Sequence, residues 1–216
     1  MLTVEHDVSV VEAELAGGRL GCPGCEGLLR PWGWARRRLI REGMGRERSV
    51  GSYRPRRTRC SGCGATHVLL EVSLAARRAD AAAVIAAAVE SKFVAGHGHR
   101  VIAERLGRPT STVRGWLRGF SAAAGRIAEA FSQLVLRDAG DAAAVWPAPA
   151  QHPGAQALGV LAAYASAVGQ RVGIEKLTWI TAGVRATSGW LFSPIWWSKI
   201  QQHQLTLTGL ATGTRS

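Results

Sequence analysis

The chain has 216 residues, with 27 Lys and Arg against 15 Asp and Glu, a formal net charge of +12, and a hydrophobic fraction of 47%. That fraction excludes wholesale disorder, and the length disfavours a single large catalytic core while allowing one compact domain or a few small modules. The charge points to a polyanionic partner.

The basic excess is clustered. Arg30 to Arg59 holds eleven arginines against Glu42 and Glu47, a net of +9, whereas the chain after Ser121 has an excess of only +3. Of the 27 cations, 24 are Arg. Abundant Ala beside them fits a GC-rich genome as well as phosphate contact, so the clustering carries the argument and the residue type does not. The N-terminus, MLTVEHDVSV, lacks the basic and apolar regions of a secretory signal. The most apolar stretch, 177–197, is interrupted by Arg185 and by Gly, Ser and Pro, and falls short of the ~20 apolar residues of a membrane span. No membrane partner is expected, and the expected compartment is the cytoplasm, with the protein nucleoid-associated and its thiols reduced.

In chain order, residues 1–20 read as a short helix, 8–16, stopped by Gly17 and Gly18. Residues 21–72 carry short β-like runs at 52–54 and 66–70, separated by Gly and Pro, with too few apolar residues to make their own core. From 78 to 137 the chain reads as helical. Asp80 is the expected N-cap of the first helix and Gly96 its stop; two helices, 99–106 and 110–120, flank Gly107-Arg108-Pro109. A further helix at 121–136 is either separate from the preceding one or continuous with it. Residues 138–154 have the composition of a linker, and 155–216 read as a helical, Trp-rich segment. The expected fold class is therefore mainly α with a small β zinc ribbon, the ribbon preceding a tri-helical helix-turn-helix.

All four cysteines fall in two CxxC pairs, Cys22/Cys25 and Cys60/Cys63, with 34 residues between them. Two thiolates three positions apart grip one metal from a tight turn, and two such knuckles complete a tetrahedral shell. Gly24, Gly62 and Gly64 are expected to supply the turns. A redox CxxC would need a single pair in a βαβ unit, and stable disulfides do not suit a cytosolic chain, so the expected cofactor is structural Zn2+. A closed four-thiolate site leaves no position for activating water. His67, His97 and His99 are expected to be ordinary packing or surface residues.

The insert between the pairs carries Arg36, Arg37, Arg38, Arg41, Arg54, Arg56, Arg57 and Arg59 beside Trp32, Trp34 and Tyr53. Such a patch neutralises backbone phosphates and carries little sequence information. The second constellation is His99 to Phe120. Ala103 and Gly107 suit the crossing and the turn of a helix-turn-helix, while Ile102, Leu106, Val113, Trp116 and Leu117 fill its inner angle. Thr110, Ser111, Thr112, Arg114 and Arg118 belong to the candidate reading helix. Of these, Arg114 is the expected base reader, since Arg bonds guanine bidentately. The expected partner is double-stranded DNA, and a homodimer would suit half-site geometry.

CPGC, RPWG, RPRRTRCSGCGATHVLL and GHGHRVIAERLGRPTSTVRGWLRGF, in that order, resemble a family of small actinobacterial proteins of uncharacterised-domain type in which a zinc ribbon joins a helix-turn-helix. The same order is more loosely similar to the N-terminal DNA-binding part of insertion-sequence transposases. The resemblance covers about residues 15–125. It implies DNA binding, ligation by Cys22, Cys25, Cys60 and Cys63, and reading by residues 110–118. Glu26 departs from the Gly usual at that place in the knuckle.

An RNase H-like transposase needs three converging carboxylates on a strand-rich domain, and only Glu129, Asp138, Asp141 and Glu175 follow the helix-turn-helix. Tyr164 stands without basic neighbours in sequence, and no P-loop is present. The expectation is a protein that is not an enzyme: a transcriptional regulator, or the targeting component of a transposition system with a separate transposase or recombinase chain. The rival is a DNA-processing enzyme with its site in the C-terminal part. An RNA-binding ribbon would need an aromatic stacking platform on a sheet, which the sequence does not reveal.

Overall fold

The computed structural model describes residues 1–25 and 27–199; Glu26 and the last part of the Trp-rich segment, 200–216, lie outside the described residues. About half of the described residues are helical, beside a small amount of sheet.

The chain opens with β1 (Leu2–Val4) and α1 (Val8–Ala16). Asp7 caps α1 by accepting from the N–H groups of Ser9 and Val10, and α1 buries Val11 and Leu15, four apart on one face. β2 (Leu29–Trp34) follows the first cysteine knuckle, and β5 (Arg56–Cys60) and β6 (Thr66–Glu71) flank the second. They form a sheet in the order β1-β6-β5-β2, in which only the β1–β6 pair is parallel. β1 leaves no mark in the sequence pattern, because three residues are too few to show an alternation. Leu2, Val4, Val11, Leu15, Leu29 and Leu69 pack with Cys22 and Cys60 into a small core. The ribbon thus borrows the apolar side chains it lacks from the N-terminal strand and helix.

Between β2 and β5 the chain makes a separate hairpin of β3 (Arg38–Glu42) and β4 (Ser49–Tyr53), joined through a 3-10 turn at Gly45–Glu47. Ile40 and Tyr53 pack into the larger core, which is built from helices. The Arg-rich insert is therefore divided, with its strand ends in the ribbon and its hairpin on the helical body.

That body contains α2 (Ala82–Phe93), α3 (His99–Leu106), α4 (Thr110–Asp138), a short α5 (Ala142–Val145), α6 (Pro153–Val172), α7 (Trp179–Ala186) and α8 (Pro194–Lys199). Gly107 ends α3 in the left-handed conformation, φ 62°, which a side chain would disfavour. The two expected helices after it are one: α4 runs 29 residues without a break. Its buried stripe, Val113, Trp116, Phe120, Ala123, Ile127, Phe131 and Leu134, repeats at three- or four-residue spacing, so nothing in the pattern calls for a stop. α6 packs along α4, where Phe131 meets Tyr164 edge-on at 5.2 Å, and Trp197 is fully buried in the same core. No described helix is long and apolar enough to cross a membrane.

Two local expectations are corrected. Asp80 does not cap α2; Ala81 holds that position without a side-chain bond, and Asp80, 2% exposed, takes two guanidinium groups instead. Charge-assisted bonds to Arg41 and Arg108 outcompete backbone N–H donors for a buried carboxylate. The stretch 138–154 is not free of structure either, since it holds α5 and begins at Asp138, which is buried between Arg137 and Arg171.

Candidate metal centre and basic face

The two knuckles bring Cys22, Cys25, Cys60 and Cys63 together, with all four sulfurs within 4.8 Å of one another. Cys22 and Cys63 stand 3.8 Å apart and Cys25 and Cys60 3.4 Å. Tetrahedral bonds of about 2.3 Å imply sulfurs about 3.8 Å apart, so the cluster fits one metal ion with little adjustment. Backbone N–H groups of Gly24, Gly27 and Gly62 point at Cys22, Cys25 and Cys60. The Cys60 thiol is lowered to about 6, first by the backbone N–H of Cys63. Cys63 is raised to about 11: the N–H of Ala65 acts downward, but the sulfurs of Cys25, Cys60 and Cys22 outweigh it. Four sulfurs at this spacing could hold one metal ion.

The turn chemistry differs in part from expectation. Of Gly24, Gly62 and Gly64, only Gly64 has a left-handed backbone, φ 72°. The indispensable glycine is Gly27, where a Cβ would lie 2.7 Å from Cys60 Sγ and 2.8 Å from Gly62 N. His67 Nε2 also lies 3.4 Å from Cys22 Sγ, so this histidine touches a candidate ligand. Burial holds its pKa below the ordinary value. Its place four residues after Cys63 was the available signal.

The candidate DNA residues divide into two groups. On α4, Thr110, Ser111, Arg114 and Arg118 are exposed and Thr112 is half-buried, while Val113, Trp116 and Leu117 face the core as the register predicts. In the insert, Arg36, Arg37, Arg38, Arg54 and Arg57 are exposed. Arg37 donates to Ser52 and Arg54 to the carbonyl of Ala35. Arg56 is half-buried, 3.0 Å from Glu12 and 4.7 Å from the Trp34 ring centroid, so much of its charge is spent within the ribbon.

Sequence reasoning missed what joins these groups. Arg108, in the turn before α4, is 7% exposed; it donates to Asp80 at 2.7 Å and to the carbonyls of Leu106, Glu42 and Gly43. Asp80 also holds Arg41 of β3, and Arg48 donates to the carbonyl of Gly107. The basic hairpin is thereby fastened to the turn that launches α4. No local pattern marks Arg108, because its partners lie 28 and about 65 residues away.

The later carboxylates are dispersed. Asp138 is paired with Arg137 and Arg171, and Asp141 caps α5. Tyr164 is fully buried, its hydroxyl has no hydrogen-bond partner among the described residues, and burial pushes its pKa up. No family model matches the chain, and no curated protein or solved structure is significantly similar to it.

Proposed function

We propose that the protein binds double-stranded DNA with a face formed by the β3–β4 hairpin and the N-terminal half of α4, while Zn2+ on the four cysteines serves as a structural staple. Four sulfur donors at tetrahedral spacing favour Zn2+ over oxygen-seeking cations. The observation carrying the DNA reading is the junction of Arg41, Asp80, Arg108 and the hairpin carbonyls, which sets exposed arginines of the hairpin beside the start of a helix bearing exposed Thr110, Ser111, Arg114 and Arg118. Phosphate contacts from the hairpin would fix the position of the duplex, and the helix would read base edges in its major groove. The scattered and paired carboxylates favour a role without catalysis, as a regulator or as the targeting component of a transposition system.

The test is salt dependence. Duplex affinity of the wild type should fall steeply with ionic strength, by about 0.9 log units per log unit of salt for each phosphate neutralised. Replacing Arg36, Arg37 and Arg38 with Ala should flatten that slope and leave sequence preference unchanged. An unaltered slope would show that Arg36, Arg37 and Arg38, at the start of the hairpin, face away from the duplex.

A further inference from the structure

The ribbon carries an aromatic feature that the sequence did not disclose. Among the described residues β2 is the outermost strand of its sheet, paired on one side only, by β5. The pairing shifts between Pro31 and Gly33, so Trp32 is the extra residue of a bulge, and Trp34 lies directly opposite Arg56; the indoles flank the edge, Trp32 with Arg59 on the exposed face and Trp34 with Arg56 on the face toward Glu12 of α1. Trp32 is 52% exposed and Trp34 43% exposed, large values for indoles on a folded sheet. Each has a guanidinium over its ring, Arg59 at 4.9 Å from the Trp32 centroid and Arg56 at 4.7 Å from that of Trp34. Arg30 and Arg57 are exposed on the same two strands, and a groove lined by Tyr53, Arg54, Arg56 and Glu12 opens beside Trp34.

We infer that this edge, with Trp32, Trp34, Arg57 and Arg59, is a binding site for single-stranded DNA. The inference goes beyond the duplex reading, and only its choice of DNA over RNA rests on that reading. Two half-exposed indoles among arginines match a ligand having both planar apolar faces and negative charge. Unpaired nucleotides have both, whereas bases in a duplex keep their faces stacked on one another. A cationic ligand is disfavoured, because guanidinium groups already occupy the indoles and the surroundings are basic. The groove beside Trp34 also bears the carboxylates of Glu5, Glu12 and Glu71, which are paired with Arg185, Arg56 and His6. Stacking and phosphate contact fit either nucleic acid; DNA is chosen because, on the duplex reading, a strand opened next to the bound duplex would be DNA.

The test uses the full zinc-loaded chain and three fluorescent probes: a twelve-nucleotide oligothymidylate, the matching oligouridylate and a random-sequence duplex. Trp32→Leu and Trp34→Leu keep apolar bulk but remove the aromatic face, while Trp32→Phe and Trp34→Phe retain one. Each Leu variant should weaken oligothymidylate binding by about 5- to 100-fold, with the Phe variants in between, and change duplex affinity less than about twofold. Arg114→Ala should do the reverse, lowering duplex affinity and sparing the single strand. Wild type that does not bind oligothymidylate, Leu variants that bind it as the wild type does, or equal losses on single strand and duplex would each overturn the inference. Tighter binding of oligouridylate would overturn the choice of DNA. Failure on the duplex alone would instead remove the proposed function and leave this site standing.

Discussion

The ribbon and the helical body solve the same problem of stability in opposite ways. The ribbon buries six aliphatic side chains from β1, α1, β2 and β6 around Cys22 and Cys60, and its other cohesion comes from four sulfurs arranged for a metal ion. The helical body buries a continuous apolar stripe along α4 against α2, α3, α6 and α8, and its polar fastening is the Asp80 cluster. A small β module short of apolar residues gains order from metal coordination, whereas a long amphipathic helix with partners on several sides gains it from area removed from water. The hairpin β3–β4 belongs to the second regime although it lies between the two cysteine pairs in sequence.

The largest effect expected from this contrast is metal removal. Chelation under reducing conditions should unfold β2, β5 and β6 while leaving most helical circular dichroism intact, and hydrogen exchange should localise the loss to residues 20–35 and 55–72. Helices melting together with the ribbon would abolish the contrast. Less than one zinc per chain in freshly purified protein would remove its premise.

The next effect belongs to the fastening. Asp80→Ala should leave Arg108 buried without its carboxylate and cost about 3–5 kcal/mol of stability in the helical body. Zinc content should be unchanged. A loss below about 1 kcal/mol in a denaturant titration would mean that Arg108 is satisfied by the carbonyls of Leu106, Glu42 and Gly43 alone.

The two cores can also be set against each other directly. Trp116→Ala should destabilise the helical body by about 3–5 kcal/mol and impair duplex binding through unfolding. Leu15→Ala, fully buried in the small core, should cost about 2–5 kcal/mol and loosen the ribbon first. Thermal melts of the cobalt-substituted protein, followed by helical circular dichroism and by cobalt–thiolate absorption, would separate the two, and one shared transition for both variants would show that the cores unfold together.

The smallest effect sharpens the reading of α4. Arg114 is exposed, so Arg114→Ala should leave stability nearly unchanged while costing about 1–3 kcal/mol at a single position of the DNA site. Sites selected from a random pool by wild type and variant should differ at that position. Identical enriched sequences would assign Arg114 to phosphate contact or to none.

Much of this organisation was legible in particular residues. Gly17 closes α1 where expected, the CxxC pairs converge, and Val113, Trp116 and Leu117 are buried while Arg114 and Arg118 stay exposed. These signals are local: a helical period, a turn residue and a ligand spacing depend on neighbours within a few positions. Less was visible where the partners are distant. Trp32 and Trp34 look like ordinary members of an Arg-rich loop until a bulged edge strand pairs them with Arg59 and Arg56.

The sequence by itself determined α1, α2, α3 and the start of α4 with its apolar face, the clustering of positive charge and the four sulfur donors, because each is written in short-range spacing. Only the tertiary structure decided that Asp80 binds two arginines rather than capping α2, that Arg108 is a buried fastener, and that the basic hairpin sits on the helical body. The physical reason is that a buried charge chooses its partner by proximity and desolvation. Neither exists until segments tens of residues apart have packed together.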